Sequence, residues 1–306
     1  MAAWLLLYLQ KIPAGGVTLT NWNRLTERVE SMCNPNLLIN TDFRNPVNQR
    51  GQSSWNTDEY HIDMWVFDEA NWSLTSEGIR VTEIPEWWTS MYQKLELDGA
   101  FFNGKTITIS AVIKTESQPK SVRLMLFNTS KNKSITEKYF DVGDNTTNLL
   151  HFSANIPNNA ADKGDTVAFY ITPNSNIDSG VTIIQAAKLE LGTFSTLANE
   201  VVDYVAELKK CQRYLQVIPA YNTFRASYVD NSVFKFNIPI GGMRINPSLS
   251  GSIVICGIDN AAQVDFIMSA YTTDNMIVIA ANKNSHGLKD AIFATGDKSA
   301  ILSAEL

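Results

Sequence analysis

The chain has 306 residues, of which 44% are hydrophobic and 18% are charged, and its formal net charge at pH 7 is −6. A chain of this length accommodates two domains, since a domain typically takes about 100–200 residues, and its apolar content suffices for a packed core. The acidic balance and the lack of a basic run argue against nucleic acid, and against an anionic membrane surface, as the partner.

The chain opens with an apolar segment, AAWLLLYL at positions 2–9. It has no basic n-region, and it is too short for a membrane-spanning helix, which needs about 20 apolar residues. We therefore expect no signal peptide and no membrane insertion. We interpret the segment as a contact with a partner, either its own trimer or another protein of a larger assembly. An apolar leader packed on the chain's own body is the alternative.

A short helix is predicted next, and Pro35 stops it. Its apolar residues are spaced by three, four and three positions, which is the seam of a coiled coil. These residues are Trp22, Leu25, Val29 and Met32. Two heptads are marginal for an isolated coiled coil, and an amphipathic helix packed on the body is the alternative. We interpret residues 1–35 as an N-terminal attachment segment with an oligomerisation helix.

Residues 36–51, NLLINTDFRNPVNQRG, are called the opening stretch below. The apolar run Leu37, Leu38 and Ile39 predicts the start of a strand, and we expect its apolar side chains to be buried in a core. The Asn, Asp, Pro and Gly residues behind it favour turns at the surface, because such residues bond their own backbone or preset a turn.

The body of the chain, residues 36–196, shows short β patterns separated by turn sequences. Alternating or β-branched runs lie at 79–84, 106–114, 121–128, 149–156, 166–172 and 181–191. The segments between them, such as FFNGK and VGDNTTN, are rich in Gly, Asn and Asp, and no helical pattern intervenes. This arrangement predicts a mainly β fold, an antiparallel sandwich of jelly-roll type.

All seven tryptophans precede residue 89, and five of them belong to the first half of the predicted sandwich. Sugars stack their apolar C–H faces on flat aromatic rings, while carboxylates and amides bond the hydroxyls. The segment EIPEWWTSMY, residues 83–92, offers both kinds of group. The candidate glycan-binding residues are therefore Glu86, Trp87, Trp88 and Tyr92. An alternative role for the adjacent tryptophans is to seal a subunit interface. Two other tryptophans, Trp65 and Trp72, are expected to pack in the core and not to bind sugar.

Motifs for catalysis and for cofactors are not readable in this chain. The three histidines are scattered, and no HExxH, GxSxG or P-loop pattern occurs. The three cysteines form no CxxC pair, so neither a zinc ribbon nor a redox motif is indicated. We predict a protein that is not an enzyme and that uses no cofactor. No metal-binding residue is indicated, because the acidic loops form no DxDxDG-type pattern, and a structural calcium stays open. Carboxylates near the tryptophans leave a two-carboxylate glycosidase as the alternative.

Residues 197–216 predict a helix that links the sandwich to the rest of the chain, with Asn199 as its N-cap. Its apolar positions repeat at intervals of three or four residues, and we expect them to face the axis of a trimer. These oligomerisation candidates are Val201, Tyr204, Leu208 and Leu215. A single helix covering one face of a sheet explains the pattern equally well. Residues 217–306 return to β patterns and predict a smaller C-terminal β domain, called the head.

Several of these segments resemble a known family. The opening stretch followed by YHIDMW is similar to the start of a jelly-roll module common in tail fibres of phages and prophages. The segments KLELGTFST and CQRYLQ, between 188 and 216, resemble the close of that module. GGMRINPSL, residues 241–249, resembles an element of the fibre heads. The resemblance covers roughly residues 36–216 together with the head.

The resemblance implies a receptor-binding subunit of the virion, a homotrimer assembled in the host cytoplasm. Its N-terminus would attach to another tail or baseplate protein, and its sandwich and head would contact polysaccharide on the host surface. Three alternatives stay open. The chain could be a baseplate, collar or decoration subunit that never touches a receptor. It could be a secreted carbohydrate-binding module, which the missing signal peptide disfavours, or a glycan depolymerase.

Overall fold

The computed structural model describes residues 34–56, 59–68, 70–82, 89–117, 121–174, 181–229, 233–238, 243–257, 267–272, 277–282 and 291–305. The oligomerisation candidates Trp22, Leu25, Val29 and Met32 lie outside the described residues, and so do the glycan-binding candidates Glu86, Trp87 and Trp88. Among the helices of the described ranges, none is long and apolar enough to cross a membrane.

Two six-stranded antiparallel sheets form the sandwich. Sheet A has, from edge to edge, β1 (Ser54–Trp55), β4 (Asn71–Thr75), β5 (Gly78–Thr82), β12 (Val181–Leu191), β7 (Thr106–Ser117) and β10 (Thr147–Asn155). Sheet B has β2 (Glu59–Tyr60), β3 (Val66–Phe67), β6 (Met91–Lys94), β11 (Val167–Asn174), β8 (Ser121–Asn128) and β9 (Lys133–Phe140). Neighbouring strands are often far apart in the sequence, as in a jelly roll. The predicted mainly β, antiparallel fold class is confirmed.

Both sheets supply side chains to one hydrophobic core. Strand periodicity explains which residues enter it, because every second side chain of β8 and β11 points inward. Trp55, Trp65 and Trp72 are 5%, 0% and 1% exposed, and they belong to this core. The expectation that Trp65 and Trp72 are core residues is therefore confirmed.

The opening stretch closes the sandwich against β12. The side chain of Asn36 accepts from the Leu189 N–H (3.2 Å) and donates to the Ala187 carbonyl (3.0 Å), while the Leu37 N–H donates to the Leu189 carbonyl (2.8 Å). The opening stretch and KLELGTFST, two of the segments that carry the family resemblance, are thus neighbours in space. The predicted surface position is wrong for part of the stretch, since Phe43 and Val47 lie in the core. Their apolar side chains outweigh the turn-forming residues around them.

The linking helix is shorter than the sequence pattern predicts. Helix α1 spans Tyr204–Cys211, and its N-cap is Asp203, whose carboxylate accepts from two backbone N–H groups of the first turn. Val201 therefore precedes the helix and is 94% exposed, and Leu215 lies in the next strand. The prediction of one helical stripe from Val201 to Leu215 is wrong, because the helix begins only after Asp203 and the chain has returned to a strand at Leu215.

Helix α1 lies on the sandwich. Cys211 is buried in the sandwich core, and Leu208 packs against it. Burial raises the pKa of the Cys211 thiol, so the thiol stays protonated and unreactive at neutral pH. Tyr204 is among the exposed hydrophobic side chains of the helix.

The remaining strands form two four-stranded antiparallel sheets around a second, smaller core. In the first sheet β13 (Leu215–Ile218), β14 (Thr223–Arg225) and β17 (Ser248–Gly257) all pair with β20 (Ala291–Ser303). The second sheet has the order β15 (Tyr228–Val229), β16 (Val233–Ile238), β19 (Ile277–Asn282) and β18 (Ile267–Thr272). A smaller β unit therefore follows the jelly roll in the sequence, in agreement with the predicted fold class.

Polar contacts connect the opening stretch to the end of the chain. Arg50 Nη2 lies 2.5 Å from Glu305 Oε2, and Arg50 Nη1 lies 3.9 Å from Asp63 Oδ1. The Gln49 amide donates to Asp63 Oδ2 (2.6 Å) and to the Leu215 carbonyl (2.8 Å). These residues are called the junction below.

Candidate functional site

The outward face of sheet B is unusually well buried. In β8 and β11 the residues between the core positions point away from the sandwich, and such a face is normally solvated. Here the outward residues Arg123, Met125 and Thr172 are only 5%, 5% and 1% exposed. The outward face is therefore recessed.

The recess is a cleft with a volume of about 570 Å³, which lies within the usual range for a small-ligand site. It is lined by Asp68, Ser90, Tyr92, Arg123, Met125, Phe127, Asn132, Ser134, Glu137 and Tyr170. Each of these described residues belongs to a strand or a loop of sheet B. One of the four glycan-binding candidates, Tyr92, is among these residues.

The centre of the cleft floor is apolar. Tyr92 and Tyr170 are cross-strand partners on β6 and β11, and their rings are stacked, with centroids 4.6 Å apart and planes at 17°. Phe127 meets Tyr170 edge to face at 5.7 Å. Met125 is the next partner of Tyr170, and Glu137 is the partner of Met125. An aromatic and apolar row thus crosses four strands and ends at a carboxylate.

Hydrogen-bonding groups occupy the adjoining row. Ser90 Oγ and Thr172 Oγ1 are 2.8 Å apart, and Arg123 Nη2 donates to Thr172 Oγ1 at 3.3 Å. The Asp68 carboxylate accepts from the Ser90 N–H at 3.0 Å. Arg123 Nη1 lies 3.5 Å from Glu137 Oε2. The cleft therefore combines flat apolar surface with donors and acceptors held in place by one another.

Burial also acts on the phenol of Tyr170. Its pKa is raised above the usual value for tyrosine, first by desolvation and then by the neighbouring Tyr92 and Asp68. The hydroxyl therefore stays protonated at neutral and mildly alkaline pH. It remains a hydrogen-bond donor as well as an acceptor for a bound molecule.

A second hollow, of about 390 Å³, lies at the edge of sheet A. Its polar lining includes Ser54, Asn56 and Asn71. Its two tryptophans, Trp55 and Trp72, are committed to the core and expose almost no ring surface. It lacks the stacking surface of the sheet B cleft.

Acidic loop residues near the cleft contact a lysine. Lys131 Nζ lies 2.8 Å from Asp162 and 3.4 Å from Asp165. Within the described ranges, no group of three or more His, Cys, Asp or Glu side chains could hold a metal ion.

Most of the cleft was missed at the level of sequence. Strand β9 was not predicted, although it supplies Glu137, and Tyr170 and Arg123 were not singled out. A usable signal is present in SVRLMLFN, where Met125 and Phe127 place two large apolar side chains on the outward face. A strand that is apolar on both faces within a sandwich indicates that something covers its outer face.

No protein-family model and no curated protein matches the chain. Solved structures do match. One, described as "CBM4 structure and function", has 15% identity and a TM-score of 0.36, and the match covers 50% of this chain and 98% of that one. A Stig cyclase, Fisc, from Fischerella sp. TAU has 11% identity and a TM-score of 0.39, with 53% and 100% covered.

A third match is the enzymatically active domain of tailspike protein 4 from bacteriophage CBA120. It has 11% identity and a TM-score of 0.30, and the match covers 50% of this chain and 24% of that one. All three TM-scores lie below 0.5.

Proposed function

We propose that this chain is a glycan-binding structural subunit of a phage or prophage tail, a fibre or receptor-binding protein that attaches the virion to polysaccharide on the host surface. The observation that carries the proposal is the recessed outward face of sheet B, where the stacked pair Tyr92 and Tyr170 adjoins a row of hydrogen-bonding side chains. A sugar ring needs both, because one side of it is apolar while its rim carries hydroxyls.

The aromatic row runs across the strands, from Tyr92 through Tyr170 to Met125. A saccharide chain lying along this row covers the apolar floor. Its hydroxyls then reach Ser90 and the carboxylates of Asp68 and Glu137, which line the cleft. A site of this kind binds weakly, and several copies on one particle multiply weak sites into firm attachment.

The assignment to a virion is supported by the resemblance of the opening stretch and of the segment at 188–216 to tail-fibre modules. In this proposal the chain forms a homotrimer in the host cytoplasm, and residues 1–35 attach it to a tail or baseplate protein. The cleft retains its glycan without cleaving it, and no cofactor takes part.

The first test is the binding of purified protein to a polysaccharide panel by affinity gel electrophoresis, with Tyr92→Ala, Tyr170→Ala and a matched control. We expect each cleft variant to bind the polysaccharide at least tenfold more weakly, because it removes one ring of the stacked floor. The weaker binding is measured as a smaller retardation in the gel. The control is Tyr221→Ala, since Tyr221 is a tyrosine of the head that is 78% exposed. It should bind like the wild type. Loss of binding in Tyr221→Ala with unchanged binding in both cleft variants would move the site to the head.

The tail role is tested separately. The isolated chain should block adsorption of the parent phage to its host, and Tyr170→Ala should block it less. Failure of the wild type to compete at high concentration favours a baseplate, collar or decoration subunit. Release of reducing ends from a bound polysaccharide would overturn the non-enzymatic proposal, with Asp68 and Glu137 as the carboxylates to replace first.

A further inference from the structure

The charges of the cleft indicate the class of glycan that it accepts. Among the described residues that line it, Asp68 and Glu137 are carboxylates and Arg123 is the one cation. The lining therefore has a formal net charge of −1 at neutral pH. Asp68 lies beside the row of hydrogen-bonding groups, and Glu137 lies at the end of the apolar row, where hydroxyls at the rim of a sugar would be bound.

The arginine is already engaged by groups of the protein. Its Nη2 donates to Thr172 Oγ1 at 3.3 Å, and its Nη1 lies 3.5 Å from the Glu137 carboxylate and 3.4 Å from the Tyr139 hydroxyl. The guanidinium also lies 5.7 Å from the centre of the Tyr139 ring. An arginine that recognises an anion presents both ends of its fork to the ligand. Here both ends are directed at side chains of the sheet.

The Asp68 carboxylate also acts on the aromatic floor. Asp68 is one of the groups that disfavour ionisation of the Tyr170 hydroxyl, after burial and Tyr92, and Arg123 opposes it only in part. A carboxylate on a sugar would likewise be repelled by Asp68, because water screens charges less in a recessed site than at an open surface.

We propose that the cleft is selective for uncharged glycans, and that Asp68 and Glu137 exclude polysaccharides bearing carboxylate or sulfate groups. The inference rests on the proposed glycan-binding function and deepens it. Arg123 neutralises Glu137 in part and holds the polar row in place, while Asp68 supplies acceptor oxygens for sugar hydroxyls. Exclusion by unfavourable charge is a common way to achieve specificity.

The experiment uses three neutral polysaccharides, β-glucan, galactomannan and pullulan, each beside the same polymer with its primary hydroxyls oxidised to carboxylates. Affinity gel electrophoresis is run at about 20 mM and about 500 mM salt, because salt screens charge repulsion. For every polymer that retards the wild type, we expect the oxidised form to bind at least tenfold more weakly at low salt. The difference should shrink at high salt.

The variants Glu137→Gln and Asp68→Asn should each lower the ratio of the affinity for the neutral polymer to the affinity for its oxidised form by at least threefold. The control is Glu77→Gln, which removes a carboxylate that pairs with Lys114 on sheet A, outside the cleft, and it should leave the ratio unchanged. Equal or tighter binding of the oxidised forms overturns the charge selectivity and leaves glycan binding standing. Lack of retardation by all six polymers overturns the proposed function and the selectivity together.

Discussion

Asn40 shows how one residue can hold a turn in the interior. Its φ is +60°, in the left-handed region that Asn tolerates better than most residues. Its side-chain amide donates to the carbonyls of Val47 and Asp63, each at 2.8 Å, and its Oδ1 accepts from the Val47 N–H at 2.7 Å. Its own N–H donates to Glu207 of α1. The side chain therefore satisfies buried backbone groups that would otherwise lack partners.

Replacing Asn40 by Ala should destabilise the protein strongly. The loss of three buried hydrogen bonds and the strain of Ala at positive φ together predict a loss of about 3–5 kcal/mol in unfolding free energy. Urea unfolding followed by tryptophan fluorescence measures it. Asn40→Gly should lose less unfolding free energy than Asn40→Ala, because glycine adopts a positive φ without strain although the hydrogen bonds are still lost. The control Asn45→Ala, at an exposed position of the same stretch, should stay within about 0.5 kcal/mol of the wild type. A similar loss in Asn40→Ala and Asn45→Ala would contradict this role.

At the scale of elements, the local sequence pattern predicts neither the start of α1 nor the presence of β9. The helical spacing of the apolar residues continues on both sides of α1, yet the helix begins where Asp203 can accept from the N–H groups of Val205 and Ala206. Strand β9 lies at the edge of sheet B, and its residues are mostly exposed or half-buried. An edge strand with little buried surface leaves a weak pattern in the sequence.

The start of α1 can be tested by comparing two capping candidates. Asp203→Ala should lower the unfolding free energy by about 1 kcal/mol, the usual cost of losing an N-cap. Asn199→Ala, at the position that the sequence pattern favours, should change it by less than about 0.5 kcal/mol, because Asn199 ends a separate short turn at Leu197–Asn199. The measurement is the urea midpoint of each variant. The reverse order of the two effects would place the helix start at Asn199.

At the scale of the whole molecule, the junction brings residues from distant parts of the chain together. Arg50 comes from the opening stretch, Asp63 from the loop before β3, and Glu305 from the end of the chain. Burial is the largest cause that raises the pKa of Asp63 to about 6, and the hydrogen bonds from Gln49 and the charge of Arg50 oppose it. Burial likewise raises the pKa of Glu305. The native junction therefore holds protons more tightly than the unfolded chain does.

The sign of the pH dependence follows from that difference. Between pH about 4 and about 6 native Asp63 keeps a proton that the unfolded chain has lost, so its contribution to stability decreases as the pH rises. A shift of this size corresponds to roughly 3 kcal/mol across the window. We expect Asp63→Asn to lack this contribution, measured as the difference from the wild type in thermal unfolding at steps from pH 4 to pH 7. A difference that is constant over the window would contradict the assignment.

The sequence by itself determined the fold class, the turn-rich opening stretch, and the membership of Trp65 and Trp72 in the core. These features are local: alternation, turn-forming residues and large apolar side chains act over a few neighbouring positions. Only the tertiary structure decided where the candidate site lies. Tyr92 and Tyr170 stack, and Asp68 and Glu137 line one cleft, because strands far apart in the sequence pair in a particular register. Register and sheet order come from the packed core as a whole, and no short stretch of the chain carries them.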